Sequence, residues 1–429
     1  MKNKLQFLLP VTLTAILSTS FAVAQNKTIS KITLTNNSNL KLSEKAVSVN
    51  RNDLGKIEEG TIFPILLHNN DTIPAQLNDL NGDGKWDELF LVTSFSPKEK
   101  KDIQLKWSKI DPKYTIRKSV RFGKREAKDL PVQPATEEIM MADQVHKKLR
   151  FQKYQTDGPT WENDKVGFRD YLDGRNSKDV FGKKTPGITP ENVGISTTGA
   201  VEDNYHQMYD WGRDIFPVGN SAGLGGYALL VNNEVQRLGI IASDTLNNVE
   251  KTSFKIVSEG PVNSVLNYKF QNWKTAGNTY QVNETTSIWP GMYAYKNTVS
   301  IDGLKGKETL LIALSNINNE KGLKVIESGD WVCLIQHDNL TYKREWILGT
   351  AILVPKKLYT GYMEAPKKGQ LTDTYLAKLK VKNNTDISYY GVAGWELSAD
   401  KNFKDAAYFT DYVTNLTKEL SVKICVKTK

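Results

Sequence analysis

The sequence predicts a mainly β protein: a small N-terminal β-domain, then a large antiparallel β-sandwich of the supersandwich kind, with few helices. Short runs rich in β-branched and aromatic residues recur along the chain, each bounded by Asn, Gly, Asp or Pro. Helical spacing of apolar residues is confined to two places. At 429 residues with only Cys333 and Cys425, the chain can bury a sizeable core without a disulfide framework. Those two thiols could pair in an oxidising compartment or sit buried and free.

The chain opens with Lys2 and Lys4, an apolar stretch over 7–22 and the cleavage pattern Ala22-Val23-Ala24. This reads as an export signal over 1–24, with the mature chain beginning at Gln25. No cysteine lies near that point, and no later stretch is apolar for long enough to span a bilayer. The expectation is a periplasmic or secreted protein without a membrane anchor.

Residues 25–130 are expected to form the N-terminal domain and 131–429 the large one. The boundary is drawn where charge, glycine and two prolines cluster over 123–134. Strands are predicted at 29–35, 61–68, 88–93 and 102–107 in the first domain. In the second they are predicted at 227–231, 237–243, 253–257, 262–271, 279–288, 294–301, 308–314, 342–354 and 377–381. The run 268–273 alternates in part, as a half-buried strand does. A helix is predicted over 136–149, because Glu137 and Glu138 at its start and Lys147, Lys148 and Arg150 at its end match the helix dipole. Phe409, Tyr412, Val413, Leu416 and Leu420 are spaced as the apolar face of a C-terminal helix, a packing stripe.

The formal charge of +9, from 57 basic and 48 acidic residues, falls by two to +7 when Lys2 and Lys4 leave with the signal. The basic residues are scattered, which argues against a nucleic-acid partner. A modest positive field suits an acidic oligosaccharide, although ordinary solubility accounts for it equally.

Four segments carry chemistry. Residues 79–88 read DLNGDGKWDE, with oxygen ligands at Asp79, Asn81, Asp83 and Asp87. The spacing suits a structural Ca2+ ion; the position of the EF-hand's last ligand is Phe90, so this is not an EF-hand. An Asx-rich hairpin turn without metal is the simpler alternative.

Residues 154–184 pack Trp161, Glu162, Asp164, Arg169, Asp170, Tyr171, Asp173 and Arg175 into one span without a clear helical or strand period. Such a stretch is expected to cover a site, with rings to stack on a ligand, Arg to hold an anion and carboxylates for hydroxyls or protons. A surface loop tied by its own ion pairs is the alternative.

Residues 205–214 read YHQMYDWGRD and set His206 among Tyr, Trp211, Arg213 and Asp. Of the four histidines, His206 is the one in company that suits an acid or base near neutrality. His146 is expected on a helix surface, and His68 and His337 lie beside strands. The glycine-rich run 219–226 matches neither G-x-G-x-x-G nor the Walker pattern and reads as turns. The aromatic run 289–295 reads as packing between sheets before a sugar-stacking wall. Zinc spacing and the serine-hydrolase elbow are absent.

The stretches QLNDLNGDGKWDELF, GPTWENDKVGFRDYLDGRN and MYDWGRDIFPVGNSAGLGG together resemble a family of exported bacterial proteins catalogued as a domain of unknown function. Its members occur in gene clusters that break down acidic polysaccharides such as pectin and ulvan. One member type is described as an ulvan oligosaccharide dehydratase. The resemblance covers nearly the whole mature chain. It implies removal of water from a terminal glucuronic or iduronic acid, leaving a 4,5-unsaturated uronate.

That elimination needs a neutralised carboxylate, for which Arg169, Arg175 and Arg213 are candidates. It needs a base at C5, His206 or Tyr171, and an acid for the leaving hydroxyl, the other of that pair or Glu162. Trp161, Asp164 and Trp211 are expected to contact the sugar. A polysaccharide lyase performs the same elimination with a sugar leaving group. A glycoside hydrolase using Glu162, Asp164, Asp170 or Asp173, and a non-catalytic glycan-binding protein, are the competing readings. No organic cofactor is expected.

Overall fold

The computed structural model describes residues 31–55 and 62–429. The export signal expected at 1–24 and the expected start at Gln25 lie outside the described residues. The architecture is mainly β and antiparallel, as the patterning predicts.

The N-terminal unit is a small sandwich. Its five-stranded sheet runs in the order Cys425–Thr428, Lys31–Thr35, Lys100–Ser108, Phe63–His68, Asp71–Ile73. A three-stranded sheet of Leu42–Asn50, Glu88–Phe95 and Ala75–Asn78 faces it. Ile32, Leu34, Leu66, Leu91, Phe95 and Ile103 fill the space between. The division at residue 130 is corrected twice. The last strand returns to pair with the first, Thr35 opposite Cys425. Strand Lys118–Arg121 already belongs to the large unit, where it pairs with Thr160–Asn163. The proline cluster marks no linker; Gln133–Pro134 pairs with Gly123–Lys124 in a small ribbon.

The large unit is built on a nine-stranded sheet: Glu137–Met141, Val249–Glu259, Ser264–Thr275, Asn278–Ile288, Ala294–Asp302, Ile387–Trp395, Leu348–Pro355, Trp331–Asp338, Lys324–Ser328. The hairpin after Thr275 turns at Ala276 and Gly277, both at positive φ (48° and 72°), the backbone a two-residue hairpin needs. Two five-stranded sheets cover the inner face. One holds Leu224–Val231 and Thr309–Ser315 at its centre; the other runs Gly212–Asp214, Lys178–Lys183, Gly167–Asp170, Thr160–Asn163, Lys118–Arg121. Their shared core includes Trp161, Phe168, Leu266, Trp273, Tyr295 and Ile352.

The C-terminal helix forms as Ala406–Ser421, with the Asp405 side chain accepting the Tyr408 N–H at its start. Phe409, Val413 and Leu416 are buried against the nine-stranded sheet. Gly349 permits the approach, because a Cβ there would lie 2.5 Å from the Phe409 ring. The helix predicted over 136–149 is corrected: Glu137–Met141 is an edge strand paired with Val249–Glu259, and only His146–Leu149 is helical. Cross-strand pairing outweighs propensity here, since Met140 gains the core and Glu138 gains Lys124 and Lys153. The strand predicted at 342–354 begins at Leu348, after a turn at Tyr342–Arg344. Cys333 and Cys425 are both free thiols. Among the described residues, no helix is long and apolar enough to cross a membrane.

Candidate functional site

The dense segment 154–184 does not form an irregular cover. It supplies strands Thr160–Asn163, Gly167–Asp170 and Lys178–Lys183. Trp161, Phe168 and Val180 align on one face, and Arg121, Thr160, Arg169 and Asp179 on the other. The apolar face meets the nine-stranded sheet, with the Trp161 and Phe168 rings 5.3 and 4.7 Å from Tyr295. The polar face lies under residues 184–211, which deliver Thr189 to Arg121 and Tyr205 to Phe181. Every residue of these strands is buried, so no exposed/buried alternation reaches the sequence. Trp161 is therefore core, not a stacking wall.

Arg169 is the hub of the polar face. It is fully buried. Nε donates to Asp179 Oδ1 at 3.1 Å, and Nη1 to the Thr156 carbonyl at 3.2 Å. Nη2 donates to the Tyr171 hydroxyl at 2.5 Å, to Asp214 Oδ2 at 2.8 Å and to Asp179 Oδ2. Burial opposes its charge, but Asp179 leads the neighbours that outweigh burial and hold it charged. With its donors committed inside the protein, Arg169 positions its neighbours and does not grip a substrate carboxylate.

Asp214 carries the network toward solvent. Burial, then the neighbouring Asp179, push its carboxyl well above the usual range, with Arg169 pulling the other way. His206 stands over it, Nδ1 3.6 Å from Asp214 Oδ2 and the side chain 42 % exposed. Desolvation, then Arg169, lower the His206 pKa, so the ring is neutral at neutral pH. Its ring meets Tyr205 at 4.7 Å and Tyr342 edge-on at 5.5 Å. Burial first, then Asp214 and Asp179, hold the Tyr342 phenol protonated.

Tyr171 links this group to a second one. Its ring lies between two guanidiniums, Arg169 at 4.2 Å and Arg175 at 3.8 Å. Its hydroxyl donates to Asp179 Oδ2 at 3.0 Å. Burial pushes its pKa well above 10, which corrects the expectation of a base: Tyr171 stays a phenol. Beyond it, Arg175 pairs with Asp173 at 2.7 Å and approaches Asp157 at 3.7 Å. His146 Nδ1 lies 3.7 and 3.8 Å from those carboxylates. A cavity of about 180 Å3 opens there, lined by His146, Gln152, Asp157, Asp173, Arg175 and Asp244. Burial and then Asp173 raise the Asp157 pKa; at Asp173, Arg175 and His146 overcome burial and lower it. Asp157 and Asp173 each offer one oxygen, and His146 one nitrogen, within 4.8 Å of one another. Arg175 already compensates both carboxylates.

The rim is aromatic. Trp211 stacks on Tyr209 with planes 7° apart and packs 6.1 Å from Phe181. Arg213 donates to the Asp214 carbonyl at 3.0 Å and to Glu345 at 3.3 Å, its guanidinium 5.5 Å from Trp346.

Two expected site residues lie elsewhere. Glu162 is buried and bonded by Lys183 at 2.5 Å and by Thr189. Asp164 pairs with Arg117 at 2.6 Å, and Arg117 also holds Glu44 of the N-terminal unit. Both are struts, which corrects the expectation of Glu162 as an acid and of Asp164 as a substrate contact. Of the sequence candidates, the fold brings together His206, Tyr171, Arg169, Arg175, Trp211 and Arg213. The sequence reading missed Asp157, Asp179, Tyr205, Asp214, Tyr342 and the part of His146. Tyr205 and Asp214 bound the segment already singled out around His206, and Asp157 and Asp179 lie within 154–184; which of those carboxylates meet is set by strand register, and Tyr342 and His146 come from distant loops that leave no local mark.

The loop at Asp79–Asp87 lies in the N-terminal unit. Asp79 accepts the N–H groups of Gly82 and Gly84 at 2.7 and 2.9 Å. Asn81 accepts from Asp83, and Asp83 from Lys85, both at 2.8 Å; Asp87 accepts from Leu80 at 2.6 Å. Gly82 and Gly84 take the positive φ this tight path needs, 77° and 84°. The donor set is all oxygen, the kind Ca2+ takes.

Comparison with known proteins adds no chemistry. "Uncharacterized protein P7" of Formosa agariphila is 25 % identical over 292 residues, covering 64 % of this chain and 68 % of that protein. Among solved structures, a protein in the Glycosyl Hydrolase Family 38 from Enterococcus faecalis aligns over 94 % of this chain and 48 % of its own, at 8 % identity and TM-score 0.45. An alpha-mannosidase from Enterococcus faecalis V583 aligns over 94 % and 46 %, at 9 % identity and TM-score 0.46. The chain spans about half the length of these two structures. Residues 34–426 match one family throughout, and the chain belongs to it: the Domain of unknown function (DUF4861) family.

Proposed function

We propose that this chain is an exported carbon–oxygen lyase that removes water from the terminal uronate of an acidic oligosaccharide, of the ulvan type. The observation that carries the reading is His206: neutral, open to solvent, and backed by the buried Asp214–Arg169–Asp179 group. Nδ1 faces Asp214, which leaves Nε2 to take the C5 proton. The C5–H electron pair forms the C4=C5 bond as the C4–O bond breaks. Tyr342, held protonated beside His206, donates to the departing hydroxyl, which leaves as water. Asp214 faces Nδ1 and fixes the orientation of the ring. Arg213, at the rim, neutralises the uronate carboxylate so that C5–H becomes acidic. The stacked Tyr209 and Trp211 offer a face to the next sugar. The proton on His206 then returns to the Tyr342 phenolate through solvent.

Mass spectrometry of the protein incubated with saturated uronate-terminated oligosaccharides, read with ultraviolet absorbance, tests this. The expected product is lighter by one water and absorbs through its conjugated C=C–COOH. Unchanged substrate across ulvan and pectin oligosaccharides sinks the proposal.

A second reading rests on Asp157 and Asp173. One carboxyl is raised and the other lowered beside the same cavity, the split an acid and an ionised partner show in a glycoside hydrolase. New reducing ends without new absorbance would favour it.

A further inference from the structure

The outer face of the nine-stranded sheet, opposite the buried Tyr268, Glu284 and Tyr295, carries a second pattern. Cross-strand register sets Lys255, Asn267, Thr285 and Thr298 in one row. The adjacent row is Ser253, Lys269, Asn283 and Ser300. Lys251 and Lys296 stand further out on the same face, opposite Gln271 and Ser287. These outward positions carry amides, hydroxyls and amines, with almost no apolar side chain among them.

The lysines are uncommitted. Nearby ion pairs use other cations: Lys274 with Glu250, Lys118 with Glu259, Lys124 and Lys153 with Glu138. Among the described residues, Lys251, Lys255, Lys269 and Lys296 enter no ion pair. Glu137 and Glu138 line the hollow beside Lys251 and Lys255, Asp302 lies beside Lys269 and accepts from Asn384, and Glu88 and Asp386 lie near Lys296. The tip of the Asp79–Asp87 loop closes the face near Lys255, whose Nζ is 3.6 Å from where a Gly82 side chain would begin.

The surface is concave as well as basic. A hollow of about 610 Å3 includes Lys251, Lys255 and Lys269. It shares Lys269 and Gln271 with a second of about 560 Å3. The face ends in a cleft of about 620 Å3 between the two units, where Lys45 and Lys296 meet Trp289, Tyr293 and Tyr390, and where Glu88, Asp400 and Glu419 make the lining mixed in charge. Four strands at the usual spacing span about 14 Å, room for several sugar rings.

We infer that this face is a binding track for an extended acidic glycan, separate from the His206 site and holding the chain whose terminal uronate that site dehydrates. Lysines supply charge for carboxylates or sulfates, Asn, Gln, Ser and Thr pair with ring hydroxyls, and the aromatic cleft receives one end. Arginine forks and exposed rings for base stacking are missing along the rows, which separates this surface from a nucleic-acid face. The ligand class is shared with the reaction proposed above, but no residue is.

Isothermal titration on the full chain tests it, using His206→Ala to prevent turnover. The probes are a galacturonic-acid hexasaccharide, a sulfated uronate-containing hexasaccharide, a neutral glucose hexasaccharide and inorganic sulfate. At least one acidic hexasaccharide is expected to bind, more weakly as salt rises, and the neutral one not to bind. Adding Lys251→Gln, Lys269→Gln and Lys296→Gln should lower that affinity at least tenfold and flatten the salt dependence. The same three changes in the chain with His206 intact should leave turnover of the shortest substrate unaltered. Equal affinity in the substituted chain, equal binding of the neutral glycan, or no acidic binding overturns the inference. Sulfate bound with the same lysine dependence and affinity as the hexasaccharide marks a small-anion site and overturns it too. Failure of dehydration with binding intact would count against the reaction alone.

Discussion

Arg169 and His206 lie in one network and respond to substitution in opposite ways. Arg169 compensates two buried carboxylates, Asp179 and Asp214. Arg169→Met strands both, and the expected cost is about 3–5 kcal/mol, the usual penalty for breaking a buried ion pair. Urea unfolding reads it, and any loss of turnover then accompanies loss of fold. His206→Ala removes a ring that is 42 % exposed. Its expected stability change is within about 1 kcal/mol, while turnover falls roughly 10²–10⁴-fold, the range for losing a general base. Wild-type turnover in His206→Ala would remove the histidine from the mechanism. Because desolvation and Arg169 lower the His206 pKa, the ring is unprotonated above it and protonated below. Turnover is expected to hold at neutral pH and fall only at a pH below the ordinary histidine range, about 6.5. His206, Arg175 and Trp211 were readable as candidates because they cluster with polar aromatics in the sequence. Trp161 and Glu162 misled for the same reason: a strand buried on both faces can carry a core ring and a charged strut in adjacent positions.

Elements show why some segments were legible and others were not. Strand Ser264–Thr275 alternates buried and exposed residues, and helix Ala406–Ser421 carries its apolar stripe at the helical period, so both declare themselves. Glu137–Met141 borrows its identity from the strand beside it, and no local period reveals that. The contact between the inner sheets adds a charge problem. Lys178 pairs with Asp170 at 3.3 Å and with Glu284 at 2.9 Å, two carboxylates against one amine, all buried. Burial first, then Glu284, raise the Asp170 pKa to about 7, with Lys178 opposing. The folded state therefore holds a proton that the unfolded state releases near the ordinary Asp value of about 3.9. Stability from this group is full below about pH 4 and is lost as pH rises toward 7. Asp170→Asn leaves one amine facing one carboxylate and should flatten that slope in urea midpoints taken from pH 4 to 8. A slope unchanged from wild type would place the titration elsewhere. At the Asp79–Asp87 loop, a structural Ca2+ predicts that EDTA lowers Tm and that added Ca2+ restores it, since a ligand of the folded state alone stabilises by mass action. A Tm indifferent to both would leave the loop as a turn held by its own amides.

The whole molecule is closed by its ends. The sequence suggested two units in series, but the last strand, Cys425–Thr428, crosses back to pair with Lys31–Thr35. Val422, Ile424 and Val426 pack on the N-terminal core. Such a long-range pairing has no sequence signature, since four residues of ordinary β composition could pair with any open edge. A second tie runs from Arg117 to Glu44 on one side and Asp164 on the other, beside the cleft between the units. The N-terminal unit therefore depends on residues that lie almost four hundred positions away. Deleting residues 423–429 exposes the edge of Lys31–Thr35 and uncovers apolar side chains of that core. The expected result is faster amide exchange in Lys31–Thr35 and Lys100–Ser108, with Ser264–Thr275 and Asn278–Ile288 still protected. Equal loss of protection in all four strands would mean that the two units open as one cooperative body, with the terminal strand as their common lock.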